Sequence, residues 1–195
     1  MRVRALVRAS ALAGGAVAVA AATSAGRGRE LDLEAFGLVH RRRSWVADAT
    51  ALGTTELGSI WASVGATAIL ASAGKRRAAE RGLAAAVAAW LIGQGTKRMF
   101  LRPRPYLADP GGVRQLIDPP RATSWPSSHP MVLLAFVTVA GRELEMGRVG
   151  RAALSALAGG VGLTRTYVGV HYPSDVAGGL LLGRAVASVV NGTAN

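Results

Sequence analysis

The sequence predicts an all-α fold, a bundle of six transmembrane helices with a short interfacial helix between the first and the second. Three observations point there. Half of the 195 residues are hydrophobic and only 17% are charged. The apolar residues gather into six runs with almost no charge, at 9–25, 57–73, 83–96, 130–141, 152–163 and 176–190. Glycine is abundant at 25 residues and aromatics are scarce at 5%, a composition suited to helices packed closely through small side chains.

A full crossing takes about 20 residues, and each run is shorter. The helices are therefore expected to continue through flanking residues, whose long arginine side chains snorkel to the interface. Arg184, inside the sixth run, must snorkel too or face the bundle. Runs this short leave a soluble all-α protein with buried helices as the alternative. The first run has a basic start, an apolar middle and small residues at 22–25, so a cleaved signal peptide competes with an uncleaved first helix, which is the expectation. Residues 31–51 read as an amphipathic helix lying on the membrane surface. The run His40 to Arg43 reads as its solvated or headgroup-facing edge rather than as catalytic. Small residues four apart, such as Gly58 with Ala62 and Gly179 with Gly183, serve packing within the bundle or a homodimer face. The whole chain, 1–195, reads as one membrane-embedded domain.

Charge narrows the partners. The net charge is +12 and there are no cysteines, which excludes a disulfide framework and any thiolate metal site. The basic residues alternate with apolar segments and do not line one amphipathic face. Nucleic acid is therefore not expected; anionic lipid headgroups and a phosphate-bearing ligand are the better fit. No histidine–carboxylate cluster is evident, so neither a metal nor a cofactor is expected.

The chemistry-bearing residues sit in three stretches within 97–175: KRMFLRPRP (97–105), PSSH (126–129) and TRTYVGVHYPSD (164–175). In the first, Lys97 and Arg104 stand seven apart, and Pro103 and Pro105 end the third helix and stiffen an extended segment. Taken alone this is a positive flank after an apolar helix, with Arg98 and Arg102 as further flanking charges. In the second, Ser127 or Ser128 suits an N-cap and Pro130 fits the first turn. That helix start can bind an anion, with the His129 ring pointing at it. Alone, PSSH is a capped helix start with an interfacial histidine. In the third, Arg165 precedes His171 by six residues and Asp175 follows by four. Pro173 can begin the last helix, so the Asp175 carboxylate can reach back to one ring nitrogen of His171 and fix its tautomer. A His–Asp pair that only caps the helix is the plainer alternative.

Parity brings the stretches together. If all six runs cross, the first stretch follows crossing three, the second precedes crossing four and the third lies between five and six. All three then emerge on one side, opposite the N-terminus. Arg2, Arg4 and Arg8, the tight loop with Lys75, Arg76, Arg77 and Arg81, and Arg142, Arg148 and Arg151 mark the N-terminal side as cytoplasmic. The other face carries many arginines as well, so the compactness of these loops decides the assignment. The motifs are expected on the extracytoplasmic side of a plasma membrane.

In order and spacing the three stretches resemble the type 2 phosphatidic acid phosphatase superfamily, whose pattern is K-x6-R-P, then P-S-G-H, then S-R-x5-H-x3-D. Lys97, Arg104 and Pro105 match the first part. Pro126, Ser127 and His129 match the second, with Ser128 in place of glycine. Arg165, His171 and Asp175 match the third, with Thr164 in place of serine. The resemblance covers roughly 57–190. It implies that Lys97, Arg104 and Arg165 hold the phosphoryl oxygens, with Ser127 and the Ser128 and His129 backbone completing the cradle. His171 would be the nucleophile, forming a phosphohistidine; His129 would protonate the leaving oxygen and Asp175 would orient His171. Serine at 128 retains the backbone N–H but limits the close approach that glycine permits.

The function implied is a metal-independent lipid phosphatase of the cell envelope. Its first-choice substrate is an undecaprenyl diphosphate-like lipid, followed by phosphatidic acid or phosphatidylglycerol phosphate. Two alternatives come from other classes. A vanadate-dependent haloperoxidase has a related oxyanion pocket, and detergent-free solubility with halide oxidation would mark it. A non-catalytic lipid-phosphate-binding protein would be marked by phosphate release that His171→Ala leaves unchanged.

Overall fold

The computed structural model of the chain describes residues 3–193, so Arg2 of the basic N-terminal arm lies outside the described residues. It is all-α, with no strand among those residues. The elements are α1 (Val3–Ala22), α2 (Gly26–His40), α3 (Trp45–Thr55), α4 (Ile60–Ser72), α5 (Arg76–Met99), α6 (Pro105–Ala108), α7 (Ser128–Glu143), α8 (Arg148–Tyr167) and α9 (Pro173–Gly192). A 3-10 turn, Glu56–Gly58, joins α3 to α4.

The apolar runs lie in α1, α4, α5, α7, α8 and α9. Several of these helices extend well past the run that seeded them, α5 by a turn or more at its N-terminal end. By length and composition only α1 is long and apolar enough to cross a membrane among the described residues, and α4 is apolar but shorter. The centre of the bundle is α7, which packs against α5, α8 and α9, while α1 lies along α9. Every residue of α7 from Pro130 to Val137 is buried. Its Met131, Ala135 and Val139 meet Ala85 and Ala89 of α5, Val161 of α8 and Val186 of α9 in one core.

Small residues make that closeness feasible. A Cβ on Gly179 would stand 2.3 Å from the Ser127 carbonyl oxygen, and one on Gly183 would stand 2.4 Å from that of Met131. Both glycines therefore pack α9 onto the α7 backbone within the chain, and any side chain there would force the helices apart.

The single interfacial helix expected over 31–51 is instead two. The chain breaks at 41–44, where three consecutive arginines are followed by Ser44, an N-cap whose hydroxyl accepts from the Ala47 N–H at 3.0 Å. The buried face of α2 is Asp32, Phe36 and His40, spaced four apart. His40 corrects the expectation of a solvated edge. Its Nδ1 donates to the Tyr167 carbonyl at 2.9 Å, and its Nε2 accepts from the Arg114 N–H at 3.0 Å. Burial, the larger cause, holds its pKa below the ordinary imidazole value. Arg41, Arg42 and Arg43 are exposed as expected. Beside them Arg114 and Tyr167 bond the Asp48 carboxyl and lower its pKa to about 2. These contacts fasten α2 and α3 over the end of the bundle where the three motifs lie.

Candidate active site

The site is built where α5 ends, α7 begins, α8 ends and α9 begins. Lys97 occupies the last turn of α5 and is buried. Its ammonium donates to the carbonyls of Thr123 at 3.0 Å and Pro126 at 2.8 Å. Arg104 follows the extended exit segment as the N-cap of α6, with Pro105 at N1. Its Nε donates to the Ala122 carbonyl at 2.6 Å and its Nη1 to that of Val170 at 2.8 Å. The connector 109–127 contains no regular helix, so its carbonyls are free to receive these cations. Arg165, in the last turn of α8, donates to Thr55 Oγ1 at 2.8 Å and stands 3.7 Å from Glu56 Oε1. The plain reading of Lys97 and Arg104 as a positive flank after an apolar helix does not hold: both are buried and held by carbonyls.

The start of α7 is tied to the third motif directly. The Ser127 N–H donates to the Asp175 carbonyl at 3.0 Å. Ser127 is the N-cap but makes no side-chain cap bond, and the hydroxyls of Ser127 and Ser128 are buried without a partner. The first-turn N–H groups of Ser128 and His129 have no helical acceptor either. Unsatisfied donors at the positive end of a helix beside three cations make an anion site.

His171 lies in the short segment between α8 and α9. Its Nε2 is 3.2 Å from Arg104 Nη1 and accepts from it, which assigns the ring proton to Nδ1. Nδ1 faces Asp175 Oδ2 at 3.5 Å, longer than a hydrogen bond, and has no other partner. Asp175 instead accepts the Tyr172 N–H at 2.8 Å and the Arg102 guanidinium at 2.9 Å. The expected reach of Asp175 toward His171 is therefore a facing contact. Burial, chiefly, together with the charges of Arg104, Lys97 and Arg165, pushes the His171 pKa well below its ordinary value. The neutral ring carries its lone pair on Nε2, where it receives the Arg104 N–H, so Arg104 must turn to a phosphoryl oxygen before Nε2 can attack.

Lys97, Arg104, Ser128, His129, Arg165 and His171 all line one cavity of about 720 Å³. Ser127 and Asp175 are fully buried behind its wall. The two histidines, 42 residues apart in the chain, share this space with three cations. Among the described residues no group of three histidine or carboxylate side chains is placed to hold a metal ion.

Three participants escape sequence reading. Glu56, in the turn before α4, brings Oε1 to 3.6 Å from His129 Nε2 and close to Arg165. No motif or spacing marks it. Gln94 also lines the cavity, and its position three residues before Lys97 on one helix was a usable signal. Arg102, expected to be a mere flanking charge, bridges Asp32 Oδ2 at 2.6 Å and Asp175 Oδ1 at 2.9 Å. It also stacks over the Tyr172 ring at 4.1 Å. Asp32 in turn accepts from the Ser174 N–H and hydroxyl, so α2 pins the start of α9. Arg98 is exposed, as a flanking charge should be.

Comparisons with known proteins bear on the fold and the family. The decaprenylphosphoryl-5-phosphoribose phosphatase of Mycobacterium tuberculosis is 35% identical over 95 residues, 49% of each chain. The chain thus spans about half the length of the curated relatives it matches. Among solved structures, a PAP2-type phosphatidylglycerolphosphate phosphatase from Bacillus subtilis superposes with a TM-score of 0.78 at 21% identity, covering 95% of this chain and 94% of that one. Aquifex aeolicus LpxE superposes with a TM-score of 0.75 at 24% identity, covering 83% and 95%. At those identities the likeness is one of fold. The family model of the PAP2 superfamily matches residues 78–194, which span α5 to α9 and hold all three motifs. With more than half of its length matched in this way, the chain belongs to the PAP2 superfamily.

Proposed function

We propose that the chain is an integral membrane lipid phosphatase that releases phosphate from a lipid phosphomonoester or diphosphate through a phosphohistidine on His171. The observation that carries this reading is the meeting of Lys97, Arg104, Arg165, His129 and His171 around one cavity. Phosphoryl transfer depends mainly on positioning and on neutralising oxygen charge. Three cations and the free N–H groups of α7 supply that neutralisation without a divalent metal.

The geometry supports the following steps. His171 Nε2 attacks phosphorus and the bond from phosphorus to the lipid oxygen breaks. His129, which burial and the neighbouring cations hold neutral, receives the proton carried by the incoming phosphate monoanion and gives it to that oxygen, and the lipid alcohol or lipid monophosphate leaves. Water then attacks the phosphohistidine while His129, neutral again, takes the water proton. The P–N bond breaks, inorganic phosphate departs with that proton and both histidines return to their starting states. Asp175, facing Nδ1, would stabilise the charge that grows on the ring during attack.

A membrane-embedded bundle is supported by the outward faces of α1, α4, α5 and α8, where Leu6, Val17, Trp61, Ile69, Leu91 and Leu163 are exposed. The basic loops at the far end favour an extracytoplasmic site. A polyprenyl-linked phosphate is the substrate class we favour. The mycobacterial relative supports it by its name, and undecaprenyl diphosphate and a polyprenylphosphoryl pentose 5-phosphate are its natural probes. Phosphatidic acid and phosphatidylglycerol phosphate come next.

The test is a phosphate-release panel on purified protein in detergent with chelator present, across these four lipids. Release from at least one polyprenyl lipid, abolished by His171→Ala, is expected. Release that the variant leaves intact, or none from any lipid, would contradict the proposal.

A further inference from the structure

A second cavity of about 720 Å³ lies at the opposite end of the bundle, lined by Arg4, Arg8, Arg142, Arg148, Arg151 and Arg184 and by no acidic residue. These arginines come from four elements: the start of α1, the end of α7, the start of α8 and the last turns of α9. Along α9 the distance from Asp175 to Asn191 is about 24 Å at 1.5 Å per residue, so this cavity is far from His171. Basic flanks at a membrane surface are ordinarily scattered and solvated; these six converge on one space. Arg184 sits about 12 Å in from the end of α9, where its Nη1 donates to Thr138 Oγ1 at 3.2 Å. It forms the cavity's floor rather than its rim.

None of the six takes part in an ion pair among the described residues. The nearby carboxylate of Glu143 is engaged by Arg77 at 2.7 Å and Arg81 at 2.9 Å. Six like charges around one space repel one another, and an anion is what relieves that repulsion. Asn191, also lining the cavity, has a buried Oδ1 with no partner, a free acceptor for a hydroxyl. Val7 beside Arg8 and Val149 beside Arg148 are exposed apolar neighbours, placed to meet an acyl chain.

We propose that this arginine-lined cavity binds the phosphate-bearing headgroup of an anionic glycerolipid, with the phosphodiester among the guanidinium groups and a headgroup hydroxyl on Asn191. The lipid source rests on the membrane reading above, but not on the chemistry at His171.

The test measures lipid retention by native mass spectrometry on purified protein given dioleoylphosphatidylglycerol or dioleoylphosphatidylcholine. A basic residue near an anionic surface is worth roughly fivefold in binding. Arg8→Gln with Arg148→Gln, both exposed and outside the packed core, should therefore lower phosphatidylglycerol retention by roughly twentyfold. Arg41→Gln with Arg42→Gln at the other end, and Lys97→Met in the first cavity, should retain it. Wild-type protein holding both lipids equally would overturn the proposal, as would equal loss in the 41/42 pair. Tripolyphosphate that binds the wild type without displacing phosphatidylglycerol would place soluble anions and lipid apart and overturn the shared site. Tripolyphosphate binding with no lipid preference would overturn the lipid as occupant.

Discussion

The two ends of the bundle hold cavities of similar size lined by arginine, and they treat those charges in opposite ways. At the motif end, Lys97, Arg104 and Arg165 are almost completely buried and fixed by carbonyl or hydroxyl oxygens. At the far end, five of the six arginines are exposed and only Arg184 is drawn into the bundle. Fixed, desolvated charges act strongly on a transition state and lose little to reorganisation. Mobile, solvated ones attract an anion without holding it in one geometry. One fold thus places fixed, buried cations at one end and exposed arginines at the other, which suits the proposed reaction site and the proposed lipid site respectively.

The contrast breaks first if the buried cations prove dispensable. Arg104→Met should lower kcat by about 10²- to 10³-fold, the usual cost of losing one preorganised donor, read in a phosphate-release assay. A loss of only a few-fold would make this cavity as permissive as the far one. Next comes the support beneath it. Arg102→Gln leaves the buried Asp175 carboxylate without its ion pair, a change that costs about 3–5 kcal/mol of stability, measured by denaturant unfolding in detergent. The exposed Arg98→Gln should change stability by less than about 0.5 kcal/mol.

The pH profile sharpens the comparison. Because burial and three cations lower the His171 pKa in the fold, the nucleophile stays neutral until the pH falls through that lowered value. The acid limb of kcat/KM should therefore lie below about pH 6.5, the ordinary imidazole value. Stability follows the same sign. The unfolded chain takes a proton on this ring below about pH 6.5 while the folded chain does not, so stability declines as pH drops below that point. An acid limb above it would show a solvated ring. Smallest is Glu56→Gln. Glu56 is exposed and competes with an incoming anion for Arg165, so its removal should tighten inhibition by inorganic phosphate or vanadate by roughly two- to fivefold.

How much of this could be read from the sequence differs by region, for a physical reason. The all-α fold, and the helices that carry the six apolar runs, were legible because charge-free runs have few ways to exist other than as buried or lipid-facing helix. The convergence of Lys97, Arg104, His129, Arg165 and His171 followed from the parity of those runs and the motif spacing. The region between α1 and α4 was not. An amphipathic signal over 31–51 does not report the break at 41–44, because that break depends on Ser44 capping α3 and on His40 being gripped by Tyr167 and Arg114, residues more than 70 positions away. Glu56 and Arg102 were missed for the same reason. Their partners are set by tertiary packing, and each alone looks like an ordinary surface charge.

The most direct test of the account is a search for the phosphorylated intermediate. His129→Gln protein, lacking the proposed acid and base, is mixed with a polyprenyl diphosphate, whose phosphate leaving group departs without that acid, then quenched at alkaline pH to preserve the P–N bond and mapped by mass spectrometry. The account predicts one added phosphoryl group, on His171 and absent from the His171→Ala protein. A phosphoryl group found on another residue, or turnover by wild-type enzyme with no phosphorylated form of either protein, would contradict it.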